Sequence, residues 1–207
     1  VSPSFTKLTV TASASIAPDV SGNLNITDMA YDPTDATSNT IVCWALGSTA
    51  ALNGGIYRTV NAKAATPTFG QTFVTTLSNT RGIFAANRVA GVTTIYVATG
   101  EGGPTSPCTS GTTAGGSVRR SLDGGASWSA KLAGANGFCG GQCFYDLPIA
   151  VSPVDANLIL IGGAGNGTCS RVYSRSTNGG TTFTGAGVAD VGLHADAHAI
   201  AFAPSNP

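Results

Sequence analysis

The chain has 207 residues, enough for one or two ordinary domains, and its formal net charge is zero with only 10% charged residues. No basic face can be read from it, which argues against a nucleic-acid partner, and no apolar run approaches the roughly 20 residues that span a bilayer. Lysine and glutamate are scarce, while five cysteines are present. This composition favours a secreted or periplasmic protein with disulfides.

The predicted elements are short strands. Residues 5–16 are rich in Thr, Val and Ser and predict an N-terminal strand. Three similar units then follow, and each has two nearly all-apolar segments and a third in which Tyr or Val alternates with Arg or Ser. Such segments predict two strands buried on both faces and one nearer an edge. The three units open at residues 26–33, 82–86 and 145–153.

A turn signature closes the second and third units. Its first copy carries Ser121, Asp123, Gly125 and Trp128, and the second copy carries, at the same offsets, Ser176, Asn178, Gly180 and Phe183. The Asx side chain can bond the backbone two residues on, and paired glycines allow positive φ, so each copy predicts a tight hairpin between two strands. A worn third copy runs from Thr59 through Asn61 to Phe69.

Four antiparallel strands in each repeated unit predict an all-β fold, a β-propeller with four-stranded blades. The expected divisions are an N-terminal strand at 1–24 that closes the last blade, blades at 25–80, 81–143 and 144–192, and the start of a further blade at 193–207. Propellers need roughly four to eight blades, so about three blades and a stub form only a portion of a ring. The expected partner is therefore the remaining blades of the same protein or a second chain.

The turn at residues 121–128 resembles the Asp-box, or BNR repeat, written Ser/Thr-x-Asp-x-Gly-x-x-Trp/Phe. Together with the opening phrase at 193–207, it is similar to large secreted bacterial propellers of the sortilin-like and xyloglucanase-like kind, over residues 26–207. The resemblance implies a secreted or cell-surface protein whose Asp-boxes stabilise the blade periphery, away from any active site.

The resemblance gives two hypotheses for function. Xyloglucanase-like propellers carry a catalytic Asp in a Thr-Asp-x-Gly-Gly-x-Tyr-Arg phrase, and Leu52 stands at that position here. We therefore expect a non-catalytic binding, adhesion or surface-assembly module with a glycan or protein ligand. The alternative is a glycoside hydrolase whose catalytic carboxylates lie in blades outside this chain. A sialidase is disfavoured, because no Arg-Ile-Pro phrase occurs and Glu101 is the single glutamate.

The densest polar group is His194, Asp196 and His198. Alternate residues of a strand share a face, so a strand here would present two imidazoles and a carboxylate together, a donor set that suits a divalent metal. The other interpretation is that they line the propeller axis, where Asp28 and Asp146 would join Asp196 in a polar ring. No other cofactor is expected.

The disulfide candidates are the five cysteines, Cys43, Cys108, Cys139, Cys143 and Cys169. Cys139 and Cys143 could instead form half of a zinc site, but no second pair has matching spacing, so disulfides are favoured. Three of the five lie in long Gly-rich loops at 101–115 and 133–143, the kind of loop that carries binding on a rigid scaffold. The third strands carry four arginines that are expected to be solvated or paired with blade-edge carbonyls: Arg119, Arg120, Arg171 and Arg175.

Overall fold

The computed structural model describes residues 11–12, 25–47, 53–77, 80–102, 115–133, 137–140, 142–164, 172–186, 194 and 196–203. In these ranges the regular structure is entirely β, with twelve strands and no helix. The described residues thus contain no helix that could cross a membrane. The strands form three sheets, which are successive blades of an all-β propeller.

The first blade is built from β2 (Asn25–Tyr31), β3 (Ile41–Leu46), β4 (Gly55–Thr59) and β5 (Thr68–Val74), all antiparallel and adjacent in chain order. The two-residue strand β1 (Thr11–Ala12) runs parallel to β5 at its outer edge. The rest of the predicted N-terminal strand lies outside the described residues, and its role in closing a last blade stays a prediction.

The second blade contains β6 (Gly82–Val89), β7 (Val92–Gly102) and β8 (Gly115–Ser121). Its fourth strand is irregular but runs along β8, where Ser129 N donates to Arg120 O at 2.9 Å and Leu132 N to Val118 O at 2.8 Å. The third blade has β9 (Ile149–Val151), β10 (Ile159–Gly162), β11 (Tyr173–Ser176) and β12 (Thr184–Ala186), in the same meander order.

The core lies between the blades. The first strands of the three blades are neighbours, β2 beside β6 and β6 beside β9. Successive residues of β7 face opposite ways: Ile95 and Val97 pack on the first blade, whereas Tyr96 and Ala98 pack towards the third. Burial on both faces explains why the middle strands are continuously apolar in sequence.

The segment at residues 194–203 continues this inner row but is not a regular strand. It is attached to the end of β10 by a bridge between Ala164 and Asp196 and by the hydrogen bond from Ala197 N to Gly163 O, 3.2 Å. Phe202 meets the inner strands β6 and β9 across an open, apolar recess of about 370 Å³. The described residues of this segment contain less strand structure than the sequence predicts, and the start of a further blade at 193–207 stays a prediction.

Both Gly-Gly turns, at residues 121–128 and 176–183, have the same internal bonding. In the first, Ser121 Oγ accepts from Gly125 N at 2.8 Å and donates to Asp123 Oδ1, also at 2.8 Å, and Asp123 accepts from Ser127 N. The second repeats these bonds with Ser176 and Asn178. The paired glycines have φ values of 65° and 85° in the first turn, a region that side chains with a Cβ rarely adopt.

The cysteine prediction is confirmed for one pair. Cys139 and Cys143 form a disulfide, so the zinc alternative for this pair does not hold. Cys43 is a buried free thiol, and burial raises its pKa to about 12. Cys108 and Cys169 lie outside the described residues, and their pairing stays a prediction.

Candidate functional site

The candidate site lies where the third blade meets the segment at residues 194–203. Residues 144–148 lead into β9, the inner strand of this blade, and the segment passes beside them. The site therefore combines side chains from two parts of the chain that are distant in sequence and adjacent around the propeller axis.

Asp146 is the centre of the site. Its side chain is fully buried, yet neither carboxylate oxygen has a hydrogen-bond donor. The contact it does make is with His198, whose Nδ1 lies 3.4 Å from Asp146 Oδ1. His198 is 47% exposed, so the imidazole joins a buried carboxyl group to solvent.

Burial raises the pKa of the Asp146 carboxyl above its ordinary value of 3.8; the His198 imidazole opposes this shift and the nearby charge of Asp196 adds to it. A carboxylate that loses its hydration without gaining donors is disfavoured relative to the neutral acid. Asp146 therefore tends to hold its proton at a pH where an exposed Asp has lost it.

Asp196 supplies a second, more accessible carboxylate, with a side chain 32% exposed. Its Oδ2 lies 3.5 Å from Nδ1 of His194, which also faces the backbone N–H of Asp196 at 3.4 Å. The two histidines thus face different carboxylates: His194 faces Asp196, and His198 faces Asp146.

The loop before Asp146 is fixed by covalent and backbone bonds. The Cys139–Cys143 disulfide closes a tight loop, within which Gln142 N donates to Cys139 O at 2.9 Å. The Gln142 carbonyl accepts from the backbone N–H groups of both Tyr145 and Asp146, each at 2.9 Å. The disulfide therefore helps to position the backbone that carries the buried carboxyl.

Two aromatic side chains are exposed beside this carboxyl. Phe144 is 69% and Tyr145 55% exposed, unusual values for neighbouring large apolar residues. The Tyr145 ring meets the His198 ring edge-on, with 4.3 Å between centroids. Arg81, at the start of the second blade's inner strand, lies next to this loop, with its Nη1 3.5 Å from the Phe144 carbonyl.

The predicted histidine and aspartate group is not brought together as a metal cage. Within the described ranges no group of three metal-ligating side chains is gathered. The predicted polar ring stays a prediction. Asp28 accepts from Phe84 N at 2.6 Å, and the charge of Asp196 acts on Asp146. Leu52 lies outside the described residues.

Sequence reasoning missed the pairing of Asp146 with His198 and the contribution of Tyr145 and Arg81. The available signal was positional: each of these residues stands at the opening of a unit, where the inner strands begin. Those openings converge in a propeller, because the inner strands surround one axis.

Two solved structures are similar to this one. The Niastella koreensis GH74 enzyme is 18% identical over 80% of this chain and 23% of its own length, with a TM-score of 0.47. The GH74 xyloglucanase from Xanthomonas campestris is 14% identical over 83% of this chain and 23% of its own, with a TM-score of 0.49. The chain thus spans under a quarter of either enzyme, and the likeness is one of fold. No protein-family model and no curated protein sequence matches it.

Proposed function

We propose that this chain supplies a catalytic corner of a secreted propeller that hydrolyses glycans. The observation that carries the proposal is Asp146, a buried carboxyl group without hydrogen-bond donors that touches an exposed imidazole. Its pKa is raised by burial, as a carboxylic acid that must donate a proton near neutral pH requires.

Glycoside hydrolysis uses two carboxyl groups, one protonated and one ionised. Asp146 provides the protonated group and acts through His198: the imidazole gives the proton of its other ring nitrogen to the oxygen of the leaving sugar as the glycosidic C–O bond breaks, and takes the proton of Asp146 at Nδ1. Asp196, the more exposed carboxylate, accepts a proton from the water that attacks the sugar carbon. Asp196 then releases its proton to solvent, and solvent returns a proton to Asp146 through the exposed edge of His198.

Substrate binding falls to the exposed aromatic pair. A sugar ring has an apolar face of C–H groups and a rim of hydroxyls, which suits a flat aromatic surface flanked by a few polar groups. Phe144 and Tyr145 provide the surface, and Arg81 provides N–H donors at its edge. The disulfide that fixes this loop suits an oxidising compartment outside the cell.

The test is hydrolysis by the full-length protein, with xyloglucan and β-glucan as first substrates because one structural neighbour is a xyloglucanase. Asp146→Asn and His198→Gln should each lower kcat about 100-fold or more, the usual contribution of a general acid. Asp155→Asn is the matched control, because Asp155 is exposed and accepts one backbone bond that Asn can also accept. Turnover that neither site variant changes would place the chemistry elsewhere.

The second candidate is the non-catalytic binding, adhesion or surface-assembly module. It is favoured by Leu52, which stands where the xyloglucanase-like phrase has its acid. The same aromatic surface would then hold a glycan without cleaving it. Glycan binding that is lost in Tyr145→Ala, with no hydrolysis of any substrate, would select this candidate over the hydrolase.

A further inference from the structure

Arg81 is a cation whose hydrogen-bonding groups are largely unused. It directly precedes β6, the inner strand of the second blade, and its side chain reaches the loop that leads into the third blade. Among the described residues, the one polar contact of this side chain is with the Phe144 carbonyl, 3.5 Å from Nη1. Its Nε is buried and has no hydrogen-bond partner there. A buried N–H group without an acceptor costs free energy, and an acceptor from outside the chain would remove that cost.

Arg119 shows how this chain satisfies a guanidinium. Its Nη1 donates to the Ser129 carbonyl at 3.0 Å, and its Nε and Nη2 donate to the two oxygens of Glu101 at 3.0 and 3.2 Å. Two parallel N–H groups match the two oxygens of a carboxylate, which makes such pairs strong and specific. Arg81 has the first kind of partner, a backbone carbonyl at Nη1, and within the described part of the chain it lacks the second.

The acidic side chains of the site have other partners. Asp146 faces His198, and Asp196 faces His194. No ion pair between residues that the structure describes includes Arg81. Its positive charge is therefore without a counter-ion in those ranges, although the residue is half-buried.

The position of Arg81 beside the proposed glycan surface indicates where an outside carboxylate would come from. Arg81 contacts the loop at Phe144, and His198 contacts it at Tyr145, the next residue. Both aromatic side chains are exposed. A sugar that stacks on them therefore has a cation at one residue of the surface and the proposed proton donor at the next. The hydroxyl groups of a neutral sugar accept from N–H groups but bring no charge to balance Arg81.

We propose that Arg81 binds a carboxylate group of the sugar, so that the glycans taken by this site contain hexuronic acid units. The inference rests on the proposed function, because it assigns a substrate class to the same site. The carboxylate accepts from Nε and Nη2 of Arg81, as Glu101 does from those of Arg119. Access to Nε requires the guanidinium to turn about its Cδ–Nε bond, which the long contact with the Phe144 carbonyl opposes only weakly.

Binding of two matched tetrasaccharides to the full chain tests this preference. Cellotetraose is neutral, and cellotetrauronate has the same backbone with every primary alcohol oxidised to a carboxylate. Calorimetric titration at neutral pH and low salt should show about tenfold tighter binding of cellotetrauronate, the scale of one charge-assisted pair. Arg81→Gln keeps N–H donors but removes the charge, so it should bind both glycans with the affinity that the unchanged protein has for cellotetraose. Arg88→Gln, at an exposed position on β6, is the matched control and should keep the preference.

A second measurement does not depend on the sugar linkage. Phenylglyoxal modifies accessible arginines, and mass spectrometry reports Arg81 and Arg88 separately. Glucuronate at about ten times its Kd should slow the modification of Arg81 about tenfold and leave that of Arg88 unchanged, whereas glucose should slow neither. Acetate should protect Arg81 less than glucuronate does, because it has no sugar ring to stack on the aromatic pair. Equal protection by acetate and glucuronate would show that the site binds free anions and would overturn the proposal.

Hydrolysis assays keep this inference separate from the proposed function. A chain that prefers cellotetrauronate but cleaves no glycan would refute the hydrolase and support the carboxylate site. Cleavage of xyloglucan together with equal affinity for the two tetrasaccharides, or tighter binding of a sulfated cellotetraose, would refute the carboxylate site alone. A preference for cellotetrauronate that persists in Arg81→Gln would also overturn it, since another group would then bind the carboxylate. If neither tetrasaccharide binds, the phenylglyoxal measurement decides, and absence of protection by glucuronate overturns the proposal.

Discussion

Replacing Glu101 with Gln tests whether an ion pair stabilises the interface between the first two blades. Glu101 has only 7% of its side chain exposed. Arg119 binds it through two nitrogens, Nε at 3.0 Å and Nη2 at 3.2 Å, and lies 4.4 Å above the ring of Phe73 from the first blade. The charge pair in the second blade thus orients a cation that contacts its neighbour.

The expected loss of unfolding free energy depends on the contacts that Arg119 keeps in the variant. Glu101→Gln conserves size and leaves Arg119, 13% exposed, without its counter-ion. Breaking a buried ion pair from one side costs about 3–5 kcal/mol. Arg119 keeps its bond to the Ser129 carbonyl and its contact with Phe73, so we expect the lower end, about 3 kcal/mol of unfolding free energy. The Nζ of Lys131 lies 4.0 Å from Glu101 Oε1 and the Lys131 side chain is partly exposed, so this second ion pair contributes little to the free energy of unfolding.

The loss of unfolding free energy is measured by urea unfolding of three variants: Glu101→Gln, Arg119→Met and the double variant. The double variant should lose clearly less than the sum of the single losses, because it leaves no unpaired charge. Asp155→Asn, at an exposed position, should change stability by less than about 0.5 kcal/mol. A loss below about 1 kcal/mol for Glu101→Gln, or additive losses, would show that solvent screens this pair and that the burial argument is wrong.

Two further predictions concern the candidate site. Replacing both Cys139 and Cys143 with Ser should lower the free energy of unfolding by about 2 kcal/mol, the loop-entropy value for so short a loop, which thermal unfolding measures. The same change should weaken glycan turnover or binding, because the backbone that carries Asp146 is no longer fixed, and the glycan assay measures this second effect. The raised pKa of Asp146 means that the folded state keeps a proton that the unfolded chain loses. The contribution of Asp146 to the free energy of unfolding therefore falls as the pH rises above 3.8. Asp146→Asn should remove this contribution to the pH dependence of the unfolding free energy, which urea unfolding at a series of pH values measures. An unchanged slope would show that the carboxyl is solvated.

The fold was predictable because its signals are local and repeated. A turn such as Ser121 to Trp128 has its own hydrogen bonds, and its near copy in the third blade reveals a period without any knowledge of long-range contacts. The middle strands are recognisable for a similar reason, since burial by a blade on each side leaves no polar face. These features depend on chemistry within one unit.

The site was less predictable because it depends on how units meet. Alternation along a strand predicts that His194, Asp196 and His198 share a face, but the described residues of this segment form a bridge from Asp196 to Ala164 and not a regular strand, so the alternation rule gives no guide to their partners. The partner of His198 is Asp146, at the opening of the previous unit. Only the arrangement of inner strands around the axis makes them neighbours.

The arginines show the same dependence on how units meet. Arg120 and Arg175 have equivalent sequence positions, yet Arg120 is half-buried against the next blade and Arg175 is exposed. The segment that carries His198 is attached to this same third blade, through Gly163 and Ala164. The contact between His198 and Asp146 therefore depends on how this segment is attached to the third blade.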